Sequence, residues 1–378
     1  MNSSATGDDP TRKDSGRGPR SGLDALLVMC PTWDTELPPI NIAYLAAHCR
    51  AQGHEVATLD LNIRLANLLR YRELRDLWNF MTQNLLDADQ LADRLFEEVP
   101  DIIDGFVRRI VDSGAACVGF SIHARNTAFT ERIVDLMRAA GSEQLVIYGG
   151  PEVLARLSVD DLAGLRADGY VVGEGEETLA ALLERRRQGG ALEPLEGLIV
   201  ARDGQLSELT PRAPIRKLDE IPFPAWEDFD LGSYGAEALD RTVPFLFSRG
   251  CMGQCAFCMD HVLAGRYRCR SPDNALEEIR RVVRRLDVRQ FHFNDLVCNG
   301  SVRKLEQLCD RLLASKLDIM WWSYAVVRRG LTAALFDKLR AAGCSSLVFG
   351  LESGSDRVLA AMGKYYTAAD AEEALRNC

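Results

Sequence analysis

Short apolar runs separated by helix-period stretches dominate the first half of the chain. Runs at 26–29, 56–61, 117–121, 145–148 and 169–172 each have the length of a buried strand. Apolar residues at helical spacing fill the intervals between most of these runs. Strands that alternate with helices predict βαβ units, and therefore an α/β fold built on a parallel sheet.

The connections in this half also carry helix signals. A helix opens after Pro39 and ends near Gly53, where glycine suits a C-terminal cap. The long stretch 62–112 has apolar residues at helical spacing and predicts two or more helices beside the sheet. A run at 198–201 followed by an Asp-Gly turn predicts a small hairpin.

The second half repeats the same rhythm. Apolar runs at 243–247, 291–293, 319–324 and 346–350 predict four further strands, and the segment from residue 367 onward is helical in pattern. Trp321 and Trp322 are neighbours on one of these strands. We therefore expect them to face opposite ways, with core packing as their role.

These patterns divide the chain into four parts. Residues 1–22 are rich in Ser, Gly, Asp and Arg, and predict a disordered tail rather than a secretory signal. Residues 23–205 form a first predicted domain. Several prolines and little apolar periodicity predict a linker at 206–240. Residues 241–378 form a second predicted domain.

Composition and charge narrow the range of partners. The 378 residues are 47% hydrophobic, and 45 Lys and Arg against 55 Asp and Glu give a net charge of −10. This balance predicts neither nucleic acid nor an anionic membrane as a partner. Apolar runs of about 18 residues are missing, so the sequence predicts no membrane-spanning helix and a cytoplasmic protein.

Eleven cysteines are present, and three of them, Cys251, Cys255 and Cys258, fall within eight residues. Thiolates are the usual ligands of iron–sulfur clusters, and three of them leave the fourth iron of a cubane open to a small molecule. A zinc site that adds His261 as a fourth ligand is the alternative at this spacing.

The stretch CMGQCAFC, directly after a predicted strand, resembles the radical S-adenosylmethionine (SAM) superfamily. That family carries Cys-x3-Cys-x-aromatic-Cys after the first strand of a partial (β/α) barrel. The resemblance implies that Cys251, Cys255 and Cys258 are catalytic residues that hold a [4Fe–4S] cluster. It also implies that SAM binds the open iron and that Phe257 lies beside the adenine.

Two later segments are similar to the same family. Asn294 and Asp295 end the second predicted strand of the barrel, and Glu352 and Ser353 (in GLESGS) end the fourth. The resemblance implies that all four bind SAM, since barrel enzymes build their sites at the C-terminal ends of strands. Taken alone, Asp295 or Glu352 could equally be a helix cap or a solvated loop charge.

The N-terminal half resembles the Rossmann-like cobalamin-binding domains that are attached to radical SAM enzymes, beginning with the stretch CPTWDTELPPINIAYLAAHCRAQGHEVATLDLN. The resemblance implies a cobalamin-binding set consisting of Pro39, Ser121, Gly149, Gly150 and Glu174.

The Asp-x-His-x-x-Gly motif, which supplies a histidine to cobalt, is missing after the first strand. Cobalamin is therefore expected to bind without a histidine beneath it, and His48 and His123 are expected to play local roles. The methylthiotransferases, which carry three cysteines in their first domain, are an alternative family. Cys30, Cys49 and Cys117 are instead interpreted as core residues.

The resemblance implies a C-methyltransferase that acts on an unactivated carbon of a small-molecule or peptide substrate, with an electron donor such as flavodoxin or ferredoxin. The alternatives are a cobalamin-dependent rearrangement or cyclisation, a methylthiotransferase-like reaction, and a non-catalytic cofactor-binding protein. Only four strands are predicted where the family barrel has six. The sequence therefore predicts a barrel that is incomplete at its C-terminus.

Overall fold

The computed structural model describes residues 22–69, 78, 87–158, 160–235 and 241–378. The predicted N-terminal tail, apart from Gly22, lies outside these ranges. None of the helices in the described ranges is long and apolar enough to cross a membrane.

Seven strands form the first sheet, in the order β2-β1-β3-β4-β5-β6-β7. They are β1 (Ala25–Met29), β2 (Val56–Asp60), β3 (Cys117–Ser121), β4 (Leu145–Gly149), β5 (Gly169–Val171), β6 (Leu198–Arg202) and β7 (Gln205–Leu206). The first five pair in parallel, and β6 and β7 add an antiparallel hairpin. Both the parallel sheet and the hairpin match the sequence prediction.

Helices cover both faces of this sheet. They are α1 (Ile40–Ala51), α2 (Leu61–Leu69), α3 (Ala88–Glu98), α4 (Pro100–Val111), α5 (Thr127–Ala139), α6 (Pro151–Leu157) and α7 (Glu176–Arg187). Side chains of α1 and α7 pack on one face, and those of α2 to α5 pack on the other. Every position of β1 and β3 is buried, because helices cover both faces of these strands.

Within the part that the structure describes, the segment predicted as a linker, 206–240, is largely exposed up to residue 220 and buried at several positions from Ile221 to Tyr234. After Leu206, which ends β7, the regular structure of its described residues consists of three 3-10 turns, at Leu218–Glu220, Trp226–Asp228 and Leu231–Ser233. Trp226 is 2% exposed and belongs to the core of the second sheet, while Leu218 packs against Tyr44 of α1. Such turns have no period, which is why the sequence suggested a loose connection.

The second sheet has four parallel strands in the order β13-β12-β11-β8. They are β8 (Thr242–Phe245), β11 (Gln290–Phe293), β12 (Met320–Ala325) and β13 (Cys344–Phe349). One face packs on the helices α9 (Pro272–Leu286), α10 (Val302–Ser315), α11 (Ala333–Ala341), α12 (Asp356–Ala361) and α13 (Ala368–Asn377). A short helix, α8 (Asp260–Ala264), precedes them.

The adjacent tryptophans of β12 face opposite ways, as predicted. Trp321 is fully buried on the helix-covered face, stacks on Phe293, and donates its indole N–H to the carbonyl of Ala342. Trp322 stacks on His292 on the other face, with ring centroids 3.6 Å apart.

A two-residue ribbon, which the sequence did not predict, joins β8 to the cysteine motif. Strand β9 (Ser248–Arg249) pairs antiparallel with β10 (Arg268–Cys269). Residues 250–267 lie between these strands and form what we call the cluster loop. Two-residue strands are too short to leave a periodic signal in the sequence.

Candidate cofactor sites

The cluster loop is closed at its base by a glycine. Gly250 has φ +79°, and a Cβ there would clash with the carbonyl oxygen of Arg266. The amide of Cys251 donates to the carbonyl of Gly265 at 3.1 Å. Only glycine tolerates both this positive φ and the close approach of the Arg266 backbone. The backbone position of Cys251, the next residue, is therefore well defined.

The three motif thiols are free and partly exposed. The Sγ atoms of Cys251 and Cys255 lie 3.7 and 3.6 Å from the point that a Cβ on Gly253 would occupy. Across the described residues, no three His, Cys, Asp or Glu side chains converge on one metal position. Three accessible thiols in one short loop nevertheless suit an iron–sulfur cluster as donors. The side chain of His261, the fourth ligand of the zinc alternative, lies outside the description.

The cysteines of the first domain contrast with those of the loop. Cys30, Cys49 and Cys117 are at most 1% exposed, and burial raises the pKa of each thiol to about 12. A neutral, buried thiol is a poor metal ligand, since the thiolate is the ligating form. Their placement supports the interpretation as core residues over a methylthiotransferase-like second cluster.

A segment near the end of the chain holds the other side of the cluster loop. The amide of Ala256 donates to the carbonyl of Met362, and the ammonium of Lys364 lies 5.5 Å from the centre of the exposed Phe257 ring. Lys364 also donates to the carbonyl of Gly350 and lies 3.5 Å from Oε1 of Glu352. The structure therefore brings Phe257 and Glu352 to one mouth.

The remaining residues predicted to bind SAM divide into two kinds. The side chain of Asn294 is exposed at the end of β11, and Ser353 Oγ accepts a hydrogen bond from the amide of Ser355. Asp295 is 1% exposed and accepts hydrogen bonds from the amides of Phe247 and Ser248 and from the Ser248 hydroxyl.

Burial raises the pKa of the Asp295 carboxyl to about 6, although the hydrogen bonds from Ser248 and Phe247 favour its ionised form. Both carboxylate oxygens are engaged by the segment that leads into the cluster loop. This placement suits a residue that ties β11 to the loop better than one that contacts SAM.

A cavity of about 280 Å³ opens at the C-terminal edge of the first sheet. Ser121, Gly149, Gly150 and Glu174 line it, as the predicted cobalamin set requires. Pro39 does not line it, but the two residues that follow, at the start of α1, do. Leu246 and Arg249 contribute from the second half of the chain, so the cavity lies between the two halves.

Glycine forms much of the cavity wall. Five lining positions are Gly119, Gly149, Gly150, Gly173 and Gly175. Gly150 has φ +103°, and a Cβ there would lie 2.5 Å from the carbonyl oxygen of Ile122. Such a wall leaves room for a bulky ligand to approach the backbone, which fits cobalamin.

Histidine does not line this cavity within the described ranges. The Nδ1 atom of His123 accepts a hydrogen bond from the amide of Arg125, and its ring packs on Trp33 with centroids 4.3 Å apart. Burial lowers the pKa of His123 to about 4. His48 is buried in α1, with Nε2 3.6 Å from a Glu177 oxygen. His123 thus has the hydrogen-bonding loop role predicted for it, whereas His48 is buried in α1 rather than on the helix surface.

Ion pairs cross between the two halves at the cavity rim. Arg249, two residues before Cys251, donates to Glu174 at 3.2 Å and to Glu176 at 2.6 Å. Burial raises the pKa of the Glu176 carboxyl, but the charge and hydrogen bond of Arg249 outweigh it, so this pKa lies below its usual range. The sequence did not predict the contact between Arg249 and Glu176, since nothing local pairs residues so far apart in the chain.

Two family models match the chain. The B12 binding domain matches residues 27–183, and the radical SAM superfamily domain matches residues 245–378. The first model covers the five parallel strands of the first sheet from Leu27 onward, and the second covers the cluster loop and strands β11 to β13. This confirms the α/β class and the cofactor set of cobalamin, [4Fe–4S] cluster and SAM.

Curated relatives align along most of the chain. An uncharacterised methyltransferase of Pyrococcus horikoshii is 26% identical over 365 residues, which are 94% of this chain and 71% of that protein. The anaerobic magnesium-protoporphyrin IX monomethyl ester cyclase of Synechocystis is 24% identical over 350 residues, which are 90% of this chain and 62% of that protein.

Among solved structures, the radical SAM methyltransferase TsrM of Kitasatospora setae, with tryptophan and a SAM analogue bound, has a TM-score of 0.67 at 17% identity. The match covers 94% of this chain and 65% of TsrM, so this chain is similar to only part of that enzyme's length. Together, the two family models place the chain among the radical SAM proteins that carry a B12 binding domain.

Proposed function

We propose that this chain is a cobalamin-dependent radical SAM methyltransferase that transfers a methyl group to an unactivated carbon of a small-molecule or peptide substrate. The observation that carries the proposal is the direct connection between the two sites. Arg249 lines the cavity and lies two residues before Cys251. Strand β9 therefore contributes to the cavity wall and leads directly into the cysteine motif. Reactions that use two cofactors in turn require such proximity.

The proposal assigns residues to the cluster, to cobalamin and to SAM. Cys251, Cys255 and Cys258 would hold the cluster, and Ser121, Gly149 and Gly150 would line the corrin site. Phe257, Asn294, Glu352 and Ser353 would surround SAM at the mouth of the cluster loop. When bound, SAM would supply a 5′-deoxyadenosyl radical and cobalamin would carry the methyl group, while the protein orients both and excludes water.

The proposal includes an external one-electron donor such as flavodoxin or ferredoxin, and a cytoplasmic location. All eleven cysteines are free thiols, which suits a reducing compartment. Tryptophan in the TsrM structure and the methyltransferase named in Pyrococcus support methyl transfer to a small molecule.

Ring formation without methyl transfer is the second candidate. The Synechocystis relative is named for a cyclase reaction, and its identity to this chain is close to that of the Pyrococcus methyltransferase. Both reactions would begin with the same radical. Product mass distinguishes them, because methylation adds a methyl group and ring closure does not.

The test is anaerobic reconstitution with iron, sulfide and hydroxocobalamin, followed by metal analysis, absorption spectra and a 5′-deoxyadenosine assay with SAM and dithionite. We expect about four irons per chain, bound corrinoid and 5′-deoxyadenosine. In Cys255→Ala, iron content and 5′-deoxyadenosine should fall to background, because one of three thiolate ligands is lost.

Cys378→Ser is the matched control, since Cys378 is an exposed thiol outside the cluster loop. It should retain iron and SAM cleavage. Zinc in place of iron would overturn the proposal. Iron and corrinoid without SAM cleavage would favour the non-catalytic alternative.

A further inference from the structure

Two arginines mark the ends of the cluster loop. Arg249 and Arg268 are directly paired residues of the β9–β10 ribbon. Side chains at paired positions of an antiparallel ribbon lie on the same face. The whole cysteine motif is enclosed between these two positions, so whatever holds both arginines holds the base of the loop.

One carboxylate of the B12 binding domain holds both arginines. Oε1 of Glu174 lies 3.2 Å from Nη1 of Arg249 and 2.9 Å from Nη1 of Arg268. Its Oε2 accepts from Arg268 at 2.9 Å and from the amide of Ile215 at 2.6 Å. Glu176 adds a 2.6 Å hydrogen bond to Arg249. We call Glu174, Glu176, Arg249 and Arg268 the base clamp.

The clamp is shielded from water. The side chains of Arg249 and Arg268 are 14% and 13% exposed, and that of Glu174 is 19% exposed. The guanidinium of Arg249 lies 5.3 Å above the ring of Tyr44 in α1. Charge-assisted hydrogen bonds in such surroundings hold a fixed geometry, and removing one partner leaves an uncompensated charge.

We propose that Glu174 is a positioning residue, which fixes the cluster loop against the cobalamin cavity through the base clamp. Although Glu174 lines the cavity, its oxygens are engaged by the protein, so we assign it to the clamp rather than to contact with cobalamin. The inference rests on the proposed function for the identity of the two cofactors. The clamp itself is a property of the chain without them.

Hydrogen–deuterium exchange of the cofactor-free chain tests the clamp directly. In Glu174→Gln, which keeps the shape of the side chain and removes its charge, amides of residues 250–267 should exchange at least about tenfold faster than in the wild type. Amides of the first sheet should be unchanged. Arg268→Lys keeps the positive charge but loses the guanidinium group, and should give a smaller increase in exchange rate.

Glu177→Gln is the matched control. Glu177 follows Glu176 in the first turn of α7, but its side chain is 51% exposed and pairs with His48 rather than with either arginine. It should leave exchange in the cluster loop as in the wild type. Unchanged exchange in Glu174→Gln would overturn the proposal. Faster exchange throughout the chain in both Glu174→Gln and Arg268→Lys would also overturn it, because it indicates a general stabilising role.

A second measurement uses the reconstituted protein, with pulsed electron paramagnetic resonance between the reduced cluster and cob(II)alamin. The wild type and Glu177→Gln should give one narrow distance distribution, and Glu174→Gln a broader one at equal cofactor content. If the distribution in Glu174→Gln is as narrow as in the wild type, Glu174 does not position the cluster loop. If the wild type takes up neither iron nor corrinoid, the proposed function fails, and the exchange experiment alone decides on the clamp.

Discussion

The two parallel sheets of this protein differ in how they are covered. The first is covered by helices on both faces, and β1 and β3 are buried at every position. Among the described residues, the second packs on helices through one face, and in β12 buried positions alternate with exposed or half-buried ones. The first sheet therefore has its ligand cavity at an edge, whereas the second presents an open face beside the cluster loop.

Residue types explain the difference. The sequence of β1 is Ala-Leu-Leu-Val-Met, which suits a strand with no solvent-exposed face. In β12, the open face carries Met320, Trp322 and Tyr324. Trp and Tyr join a large apolar body to a polar group, and suit a surface that is partly wet. The two sheets therefore differ in surface chemistry because helices cover both faces of the first and one face of the second.

The largest expected effect compares the two faces of β12. Trp321→Ala on the covered face should lower the free energy of unfolding by about 3–5 kcal/mol, because it leaves a large hole and an unpaired Ala342 carbonyl. Tyr324→Ala on the open face, where the side chain is 44% exposed, should cost less than about 1 kcal/mol. Denaturant unfolding measures both, and equal losses would show that the open face is covered in solution.

A pH-dependent effect concerns His292, which lies on the open face but is buried beneath Trp322. Burial lowers its pKa from 6.5 to about 4, and neither ring nitrogen has a hydrogen-bond partner among the described residues. Between these values the unfolded chain binds a proton that the folded chain does not. The contribution of neutral His292 to the free energy of unfolding is therefore fully present above about pH 6.5 and is lost as the pH falls towards 4.

His292→Phe should remove this contribution. Between pH 6.5 and 4, the free energy of unfolding of the wild type should fall by roughly 3 kcal/mol more than that of the variant. Denaturant titrations at several pH values measure the difference. Above pH 7 the two proteins should differ by a constant amount, which serves as the control. Parallel curves across the acid range would show that His292 is accessible to protons when folded.

The smallest expected effect concerns the cavity of the first sheet. Gly149 has the same orientation in β4 as Ile147, which lines the cavity, and a Cβ on Gly149 would have its nearest contact at 3.8 Å. Gly149→Val should therefore place its side chain in the cavity. Its affinity for hydroxocobalamin should fall about tenfold, or about 1.4 kcal/mol, while iron loading is unchanged.

Gly105→Ala is the control for this substitution, since a Cβ there meets nothing within 4 Å. Spectroscopic titration gives the affinities of both variants. Undiminished corrinoid binding in Gly149→Val would place the cobalamin site elsewhere.

Prediction from sequence succeeded where local pattern and local packing agree. The nine parallel strands predicted for the two sheets are present with ends shifted by at most two residues. The predicted cavity residues Ser121, Gly149 and Gly150 meet at one edge, because the ends of parallel strands do. The β9–β10 ribbon and the packing of Trp226 were missed, since neither has a period.

The sequence by itself determined the α/β class, the two halves, and the loop that carries Cys251, Cys255 and Cys258, because each depends on spacing along the chain. Only the tertiary structure decided how the halves are joined. Glu174 and Arg249 are 75 residues apart, and their contact depends on two sheets packing together. It also decided that Asp295 is enclosed and Phe257 is exposed, since burial is a property of the assembled fold.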